Sequence, residues 1–220
     1  MATSGIYTVQ YTRNEIIEAA LRKLSVLAAG QTPTTEDYTD ASTALNMLVA
    51  QFRAQGMHLW QRKDYSLTLV NGTSSYTIGT GYTASTPYPL KLLQAYRVHT
   101  DGTRIPMDIE ADYDFNYLPG TSTGTPVKVT YQPKINYGVI QVWPEPDATA
   151  ASNYTVHLVY TQPSQYFTAS TNTMDFPEEW YLAIVYGLAK ILAPEWGIPL
   201  PDRQVLSAEA KEYLEEAKGF

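Results

Sequence analysis

Hydrophobic residues recur at steps of three and four positions near the N-terminal end of the chain, which is the period of a helix with one buried face. The first run begins behind Thr12, whose side chain can form a capping box with Glu15, and Gly30 is its expected end. The apolar face of this run is Ile16, Ile17, Ala20, Leu21 and Leu24. The pattern predicts an amphipathic helix that packs on a core.

A second run with the same period follows a short polar link. Thr34 or Thr35 is its expected cap, and Gly56 is its expected end. Its apolar face is Ala41, Ala44, Leu45, Leu48, Val49 and Phe52. Since the link is short, the two runs together predict a helical hairpin over residues 12–56.

Beyond residue 64 the pattern changes to the alternation of apolar and polar positions that is typical of half-buried strands. The strand candidates are residues 65–70, 75–78, 92–100, 127–131, 139–142 and 154–160, with a short helix or turn at 111–118. Asn71-Gly72 is a turn signal that favours a hairpin between the first two strands. We predict a β-rich section over residues 64–161 with a mostly antiparallel sheet.

Helical periodicity returns near the C-terminal end. Pro177 suits the start of a helix, and residues 194–201 separate that helix from a last one, Asp202–Lys218. The apolar faces are Tyr181, Ile184, Val185, Leu188, Ile191 and Leu192 in the first helix, and Val205, Leu206, Ala210, Tyr213 and Leu214 in the last. We predict a C-terminal helix pair over residues 175–218. The order helices, strands, helices predicts an α+β fold, as one domain over residues 1–220.

Composition excludes several classes of function. The 220 residues are 44% hydrophobic and 17% charged, which is typical of a globular protein with its own core. The sequence has no cysteine, so disulfides and thiolate metal sites are excluded. The net charge of −7 disfavours a free-standing nucleic-acid binder. The sequence predicts neither a signal peptide nor a membrane span, since no run approaches the roughly 18 apolar residues that a membrane helix needs.

The residue types that carry catalysis do not form a recognisable pattern. His58, His99 and His157 lie far apart in the sequence, and none has a partner at metal-ligand spacing. Paired acids at 178–179 suit the start of a helix, and those at 215–216 suit a solvated face. We therefore predict no catalytic residue, no cofactor and no metal site. A cell-wall hydrolase built on a carboxylate pair remains a minor alternative.

Tyrosine is unusually frequent, with 18 tyrosines against 5 phenylalanines. Its ring is apolar and its hydroxyl is polar, so it suits both half-buried strands and protein interfaces. Most of the tyrosines lie in the β-rich section. Packing within strands is one explanation, a protein–protein surface is a second, and a carbohydrate- or receptor-binding module is a third.

An ordered set of short motifs runs through most of residues 12–197. In order they are the run 15–33, Asp40-Ala41, 44–48, Phe52-Arg53, Gln55-Gly56, Leu59-Trp60, the segment 68–79, GVIQVWPEP at 138–146, FPEEW at 176–180, Leu188-Ala189 and APEWG at 193–197. In this order the motifs resemble the head-to-tail connector proteins of tailed phages, also called portal adaptors or tail accessory factors. The likeness is greatest to those of short-tailed phages.

The resemblance implies a structural protein of the virion head–tail junction, assembled in the host cytoplasm and without enzymatic activity. Such adaptors form a homo-oligomeric ring, commonly of twelve copies, beneath the portal protein. They extend the DNA channel, retain the packaged genome and dock the tail or nozzle protein. A twelve-copy ring of this chain would carry a charge of about −84, so DNA would pass through its lumen without sequence-specific binding.

The resemblance also implies two kinds of interface. We expect the last helix and the end of the chain to contact the portal, through Leu206, Tyr213, Leu214 and Phe220. We expect the β-rich section to contact the tail or a neighbouring subunit, through Tyr82, Tyr88, Tyr117 and Tyr137.

Overall fold

A computed structural model describes residues 9–28, 30–56 and 61–219. The chain divides into two compact units, one formed by the described parts of residues 1–60 and 164–220, and one formed by residues 61–163. The first is helical and the second is β-rich, and each has its own hydrophobic cluster. The predicted α+β class is confirmed, whereas the single domain over residues 1–220 stays a prediction.

The elements follow one another in the predicted order of helices, strands and helices. They are α1 (Arg13–Lys23), α2 (Thr35–Ala54), β1 (Arg62–Thr68), β2 (Ser75–Ile78), β3 (Lys91–His99), β4 (Arg104–Ile109), α3 (Asp112–Phe115), β5 (Thr123–Gly124), β6 (Lys128–Lys134), β7 (Tyr137–Trp143), β8 (Glu145–Pro146), α4 (Ala148–Asn153), β9 (Tyr154–Thr161), α5 (Tyr181–Leu192) and α6 (Leu200–Lys218). A single turn of 3₁₀ helix, Glu178–Trp180, leads into α5.

Both N-terminal helices begin with the capping boxes that their sequences favour. The amide of Thr12 donates to the Glu15 carboxylate at 2.8 Å, while the Thr12 hydroxyl oxygen accepts from the amide of Glu15. Thr34 and Asp37 make the same reciprocal pair at the start of α2. Each box satisfies amides that have no partner inside the helix, which fixes where the helix begins.

The predicted end of α1 at Gly30 is wrong. The last helical residue is Lys23, and Ser25 adopts the left-handed conformation with φ 58°. The amide of Val26 donates to the Leu21 carbonyl at 3.3 Å, and the amide of Ser25 closes a second bond to the preceding turn. This is a Schellman ending with serine where glycine is usual, so the sequence gives no glycine signal at the true end.

The helical unit buries the apolar faces of α1, α2, α5 and α6 against one another. Every predicted face position of α1 and α2 is buried. Phe52 of α2 packs edge-on against Phe176 and Trp180, with ring centroids 6.2 and 5.8 Å apart. The prediction for Val205 is wrong, because this α6 side chain is 57% exposed.

Besides a two-stranded sheet of β5 and β8, the β-rich unit contains a seven-stranded sheet in the order β1-β9-β3-β4-β6-β7-β2. Adjacent strands of this seven-stranded sheet pair antiparallel, except that β4 and β6 are parallel. One face of the sheet is a continuous apolar core. The core residues are Leu67, Leu69, Tyr76, Ile78, Ala84, Leu92, Ala95, Met107, Val129, Ile140, Val142, Val156, Leu158 and Tyr160.

The predicted hairpin between the first two strands is wrong, because β1 and β2 lie at opposite edges of the sheet. The segment between them forms hydrogen bonds with β2 and β8. The Tyr76 hydroxyl accepts from the Val70 amide at 3.0 Å, and the Gly72 amide donates to the Pro146 carbonyl at 2.9 Å. These bonds direct the chain away from β1, and β2 pairs with β7 instead.

The connection between β7 and β9 holds more structure than the turn that its prolines predict. Beyond residues 144–147 the chain forms α4, capped by the Asp147 carboxylate, which accepts from the Ala150 amide at 2.7 Å. Asp147 followed by an alanine-rich run is a helix-start signal that could have been found in the sequence.

Candidate functional site

Tyr82 and Tyr137, two of the predicted interface residues, lie side by side. Tyr137 stands near the start of β7, and Tyr82 lies in the loop that follows β2. Their ring centroids are 5.2 Å apart with an interplanar angle of 33°. Tyr82 is 46% exposed and Tyr137 is half-buried, so the pair offers an aromatic surface to a partner.

Gly79 allows the loop to bring these two rings together. A Cβ atom at position 79 would lie 3.0 Å from the Tyr82 ring and 3.2 Å from Cβ of Tyr137. Beside the pair, the β6–β7 turn carries Ile135, which is 87% exposed, and Asn136 with φ 69°. Ile135 is not among the predicted interface residues, and its exposure follows from its place in the turn.

A second aromatic pair lies on α3 and the turn after it, within residues 112–119, which we call the α3 segment. Tyr113 and Tyr117 are four residues apart, their ring centroids are 5.0 Å apart, and their hydroxyl oxygens are 2.6 Å apart. They are 70% and 72% exposed. The hydrogen bond with Tyr113 raises the pKa of Tyr117. Tyr117 is one of the predicted interface residues and Tyr113 is not, although the four-residue spacing could have indicated Tyr113.

The α3 segment is held on the outer face of the sheet. Gln132 of β6 donates its amide to the Asp112 carboxylate, and the Trp143 indole N–H donates to the Pro119 carbonyl at 2.9 Å. These two bonds anchor the segment at both ends. The exposed tyrosines are therefore presented on a fixed support.

Tyr88 does not join either pair. It is half-buried and lies near Tyr131, whose hydroxyl donates to the Pro89 carbonyl. Burial raises the pKa of Tyr131 to about 12. Tyr88 therefore belongs to a more enclosed part of the β-rich unit than the exposed Tyr82 and Tyr117.

The predicted portal residues occupy different environments on α6. Leu206 is buried in the helical core and Leu214 is half-buried. Tyr213 packs against Tyr186, with ring centroids 4.7 Å apart, and the proximity of Tyr186 raises the pKa of Tyr213. Phe220 lies outside the described residues.

A groove of about 300 Å³ lies between α2, α5 and α6, and we call it the helical groove. It is lined by Leu48, Gln51, Phe52, Gln55, Ala183, Gly187, Lys190, Ile191, Ser207, Ala210, Lys211 and Leu214. Most of these residues are apolar, and the two charged ones are both lysines. In a chain with a net charge of −7, a groove lined by cations and no carboxylate is an unusual local environment.

Ionisable side chains meet on the outer face of the sheet. The Asp64 carboxylate accepts from the Tyr96 hydroxyl at 2.6 Å and lies 3.0 Å from Nδ1 of His157. Burial opposes the ionisation of Asp64, but the bonds from Tyr96 and His157 outweigh it and lower its pKa. The His157 ring stacks on Tyr96 at 4.9 Å, and the Arg104 guanidinium lies over the Tyr96 ring at 5.6 Å.

The two described histidines, His99 and His157, lie in separate contacts. His99 pairs with Asp101 at 3.0 Å, while His58 lies outside the described residues. Across residues 9–28, 30–56 and 61–219, no three His, Cys, Asp or Glu side chains lie close enough to hold a metal ion. In the same part of the chain, no helix is long and apolar enough to cross a membrane.

Comparison with known families defines the class. The family model described as SU10 adaptor protein matches residues 11–218, and so spans both compact units. The class is therefore that of phage adaptor proteins, which are structural components of the virion. The chain belongs to the SU10 adaptor protein family. A search of curated proteins finds no match. The resemblance drawn from the sequence motifs is confirmed.

Proposed function

We propose that the protein is a head-to-tail adaptor that assembles as a ring of twelve copies beneath the portal protein. The ring extends the DNA channel, retains the packaged genome and docks the tail or nozzle protein. The observation that carries this proposal is the family match over residues 11–218, since it covers the helical and the β-rich unit alike.

The exposed aromatic pairs support a role in protein–protein contact. Tyrosine is enriched at the energetic centres of interfaces, where its ring is buried and its hydroxyl forms a hydrogen bond. Tyr82 with Tyr137, and Tyr113 with Tyr117, provide such rings on the β-rich unit. We assign these pairs to contacts with the tail or a neighbouring subunit, with Tyr88 supporting the surface from within.

The portal contact is assigned to α6. Its accessible residues include Val205, which is 57% exposed, and Tyr213, which is half-buried. Leu206 contributes through the packing that holds α6 on the helical unit, because its own side chain is buried. Phe220, which lies outside the described residues, is assigned to the same contact.

The charge of the chain fits a conduit for DNA. A ring of twelve such chains would carry about −84, and a negative lumen repels the phosphate backbone instead of binding it. DNA would then move through the channel without being held by basic side chains.

The test is mass photometry of the purified protein, alone and mixed with its cognate portal. We expect a discrete mass increase on the portal that corresponds to about twelve chains of 24.6 kDa. A portal from a phage with an unrelated adaptor is the control, and it should show no increase. A chain that remains at 24.6 kDa in the presence of the cognate portal would contradict the proposal.

A further inference from the structure

The helical groove has the features of a docking site for an acidic aromatic segment. Its floor is apolar, with Leu48 and Phe52 buried beneath it, and its two charged residues are Lys190 and Lys211. Both lysines are exposed, and neither forms an ion pair with any residue that the structure describes. An apolar floor with unpaired cations favours an apolar or aromatic side chain flanked by carboxylates.

The floor of the groove is open because α5 carries Gly187 there. A Cβ atom at this position would lie 3.1 Å from a methyl carbon of Leu48. The absence of a side chain leaves room above Leu48 that a partner's side chain can fill. The volume of about 300 Å³ is small and suits one or two inserted side chains better than a whole helix.

The α3 segment of the same protein has the complementary chemistry. It presents Tyr113 and Tyr117 at 70% and 72% exposure, and Asp114 lies exposed between them. Asp114 forms no ion pair in the described part of the chain. Two large exposed rings held on the sheet by the hydrogen bonds from Gln132 and Trp143 are the kind of side chain that protein interfaces bury.

We propose that the helical groove of one copy receives the α3 segment of a second copy, with a tyrosine ring over Leu48 and Asp114 beside Lys190 and Lys211. This inference rests on the proposed ring and identifies the contact between neighbours. The two surfaces differ, so the contact is heterologous, which is the type of contact that a ring of identical subunits repeats around its axis.

This contact changes the role expected of one predicted residue. Leu214 lines the helical groove, so it faces the neighbouring subunit and not the portal. Tyr213 packs with Tyr186 outside the groove and remains available for the portal. Portal binding and subunit contact thereby use different faces of α6.

The first experiment reverses the charges of the helical groove in one variant and the charge of Asp114 in the α3 segment in another. The two variants are then mixed. Lys190→Asp with Lys211→Asp should weaken ring assembly on the portal at least tenfold, measured as the protein concentration that half-saturates the mass increase. Asp114→Lys, which leaves the bond between Gln132 and Asp112 intact, should also weaken assembly. Mixing the two variants should restore mixed contacts, because a reversed groove then meets a reversed α3 segment.

The matched control is Lys63→Asp with Lys91→Asp, which changes the net charge equally at exposed lysines of β1 and β3. It should assemble like the wild type. The proposal is overturned if the groove variants also assemble like the wild type. That outcome leaves the adaptor function intact, whereas a wild-type chain that fails to load on the portal refutes the function itself.

The second experiment uses the absence of cysteine from the sequence. One preparation carries Tyr117→Cys and the other carries Gln55→Cys, which lies in the groove lining. Oxidation of the mixture on the portal should give a disulfide-linked dimer of the two chains. Glu212→Cys, on α6 but outside the groove, replaces Gln55→Cys in the control and should give none. Equal cross-linking at both positions, or none at either, would refute this contact.

Discussion

The hydroxyl of Tyr96 donates a 2.6 Å hydrogen bond to the carboxylate of Asp64, and the two residues lie on strands that do not pair with each other. β9 runs between these strands and contributes His157, which stacks on Tyr96 and contacts the same carboxylate. The contact therefore ties β1, β9 and β3 together on the outer face of the sheet. The edge strand β1 is therefore held in the sheet by the Asp64 side chain as well as by its backbone hydrogen bonds with β9.

This relationship predicts an acid-dependent loss of stability. The pKa of Asp64 is lowered in the folded protein, so the ionised carboxylate stabilises the fold above the ordinary aspartate pKa of about 4. That contribution is lost as the pH falls through the lowered pKa. Because the side chain is 47% exposed, we expect Asp64→Asn to reduce the free energy of unfolding by only about 0.5–1 kcal/mol at pH 7.

Urea denaturation at pH 7 and near pH 3 measures this effect. The difference in the free energy of unfolding between wild type and Asp64→Asn should be present at pH 7 and smaller near pH 3, where part of the contribution has been lost. Asp40→Asn, on the exposed surface of α2, is the control and should change little at either pH. If Asp64→Asn were less stable than the wild type by the same amount at both pH values, the ionised Asp64 carboxylate would not be the cause.

Local signals in the sequence were sufficient to predict the four long helices, although not the end of α1 or the short helix α4. Thr12 and Glu15 specify the start of α1 by contacts three residues apart, and the helical period specifies its buried face. The pairing of β1 was not predictable in this way. Its partner β9 lies about ninety residues later in the chain. Asn71-Gly72 indicates only that a turn forms, and not which strand follows it.

The candidate site could be predicted in part, where local composition indicated it, but not where it depends on distant parts of the chain. Excess tyrosine in a strand-rich region indicated an aromatic surface, and Tyr82 and Tyr137 do meet there. Tyr113 and Ile135 were missed because their exposure depends on how α3 and the β6–β7 turn lie on the sheet. The helical groove is formed by three helices from distant parts of the chain, so its positive charge could not be predicted from the sequence.

Ser25→Gly should stabilise the protein. Ser25 has φ 58° at the end of α1, a conformation that costs an L-residue about 1 kcal/mol and that glycine adopts freely. We expect the free energy of unfolding to rise by about 0.5–1 kcal/mol, measured by urea denaturation. Ser25→Ala, which keeps a Cβ atom, should give no such gain. Equal effects of the two substitutions would show that the backbone conformation is not the cause.

Gly138→Ala should destabilise the β-rich unit. The Tyr131 ring crosses directly over Gly138, and a Cβ atom there would lie 2.3 Å from a ring carbon. The ring cannot move away freely, because its hydroxyl is bonded to the Pro89 carbonyl. We expect a loss of about 2 kcal/mol in thermal or chemical denaturation.

The control for this substitution is Gly120→Ala. A Cβ atom at position 120 would meet nothing within 4 Å, so the stability should change by less than about 0.5 kcal/mol. If Gly138→Ala were as stable as this control, the close packing of Tyr131 on the sheet would be disproved.

The β-rich unit should fold when residues 61–163 are produced alone. Its two ends lie together, since Arg62 is directly opposite Thr161 in the β1–β9 ladder and the Gln162 amide donates to the Gln61 carbonyl at 3.0 Å. It also has its own apolar core. We expect a β-type circular dichroism spectrum and one cooperative thermal transition. A shorter piece, residues 61–153, lacks β9 and with it Val156, Leu158 and Tyr160, so it should remain unfolded. If residues 61–163 were equally unfolded, the core of the β-rich unit would depend on the helical unit for its stability.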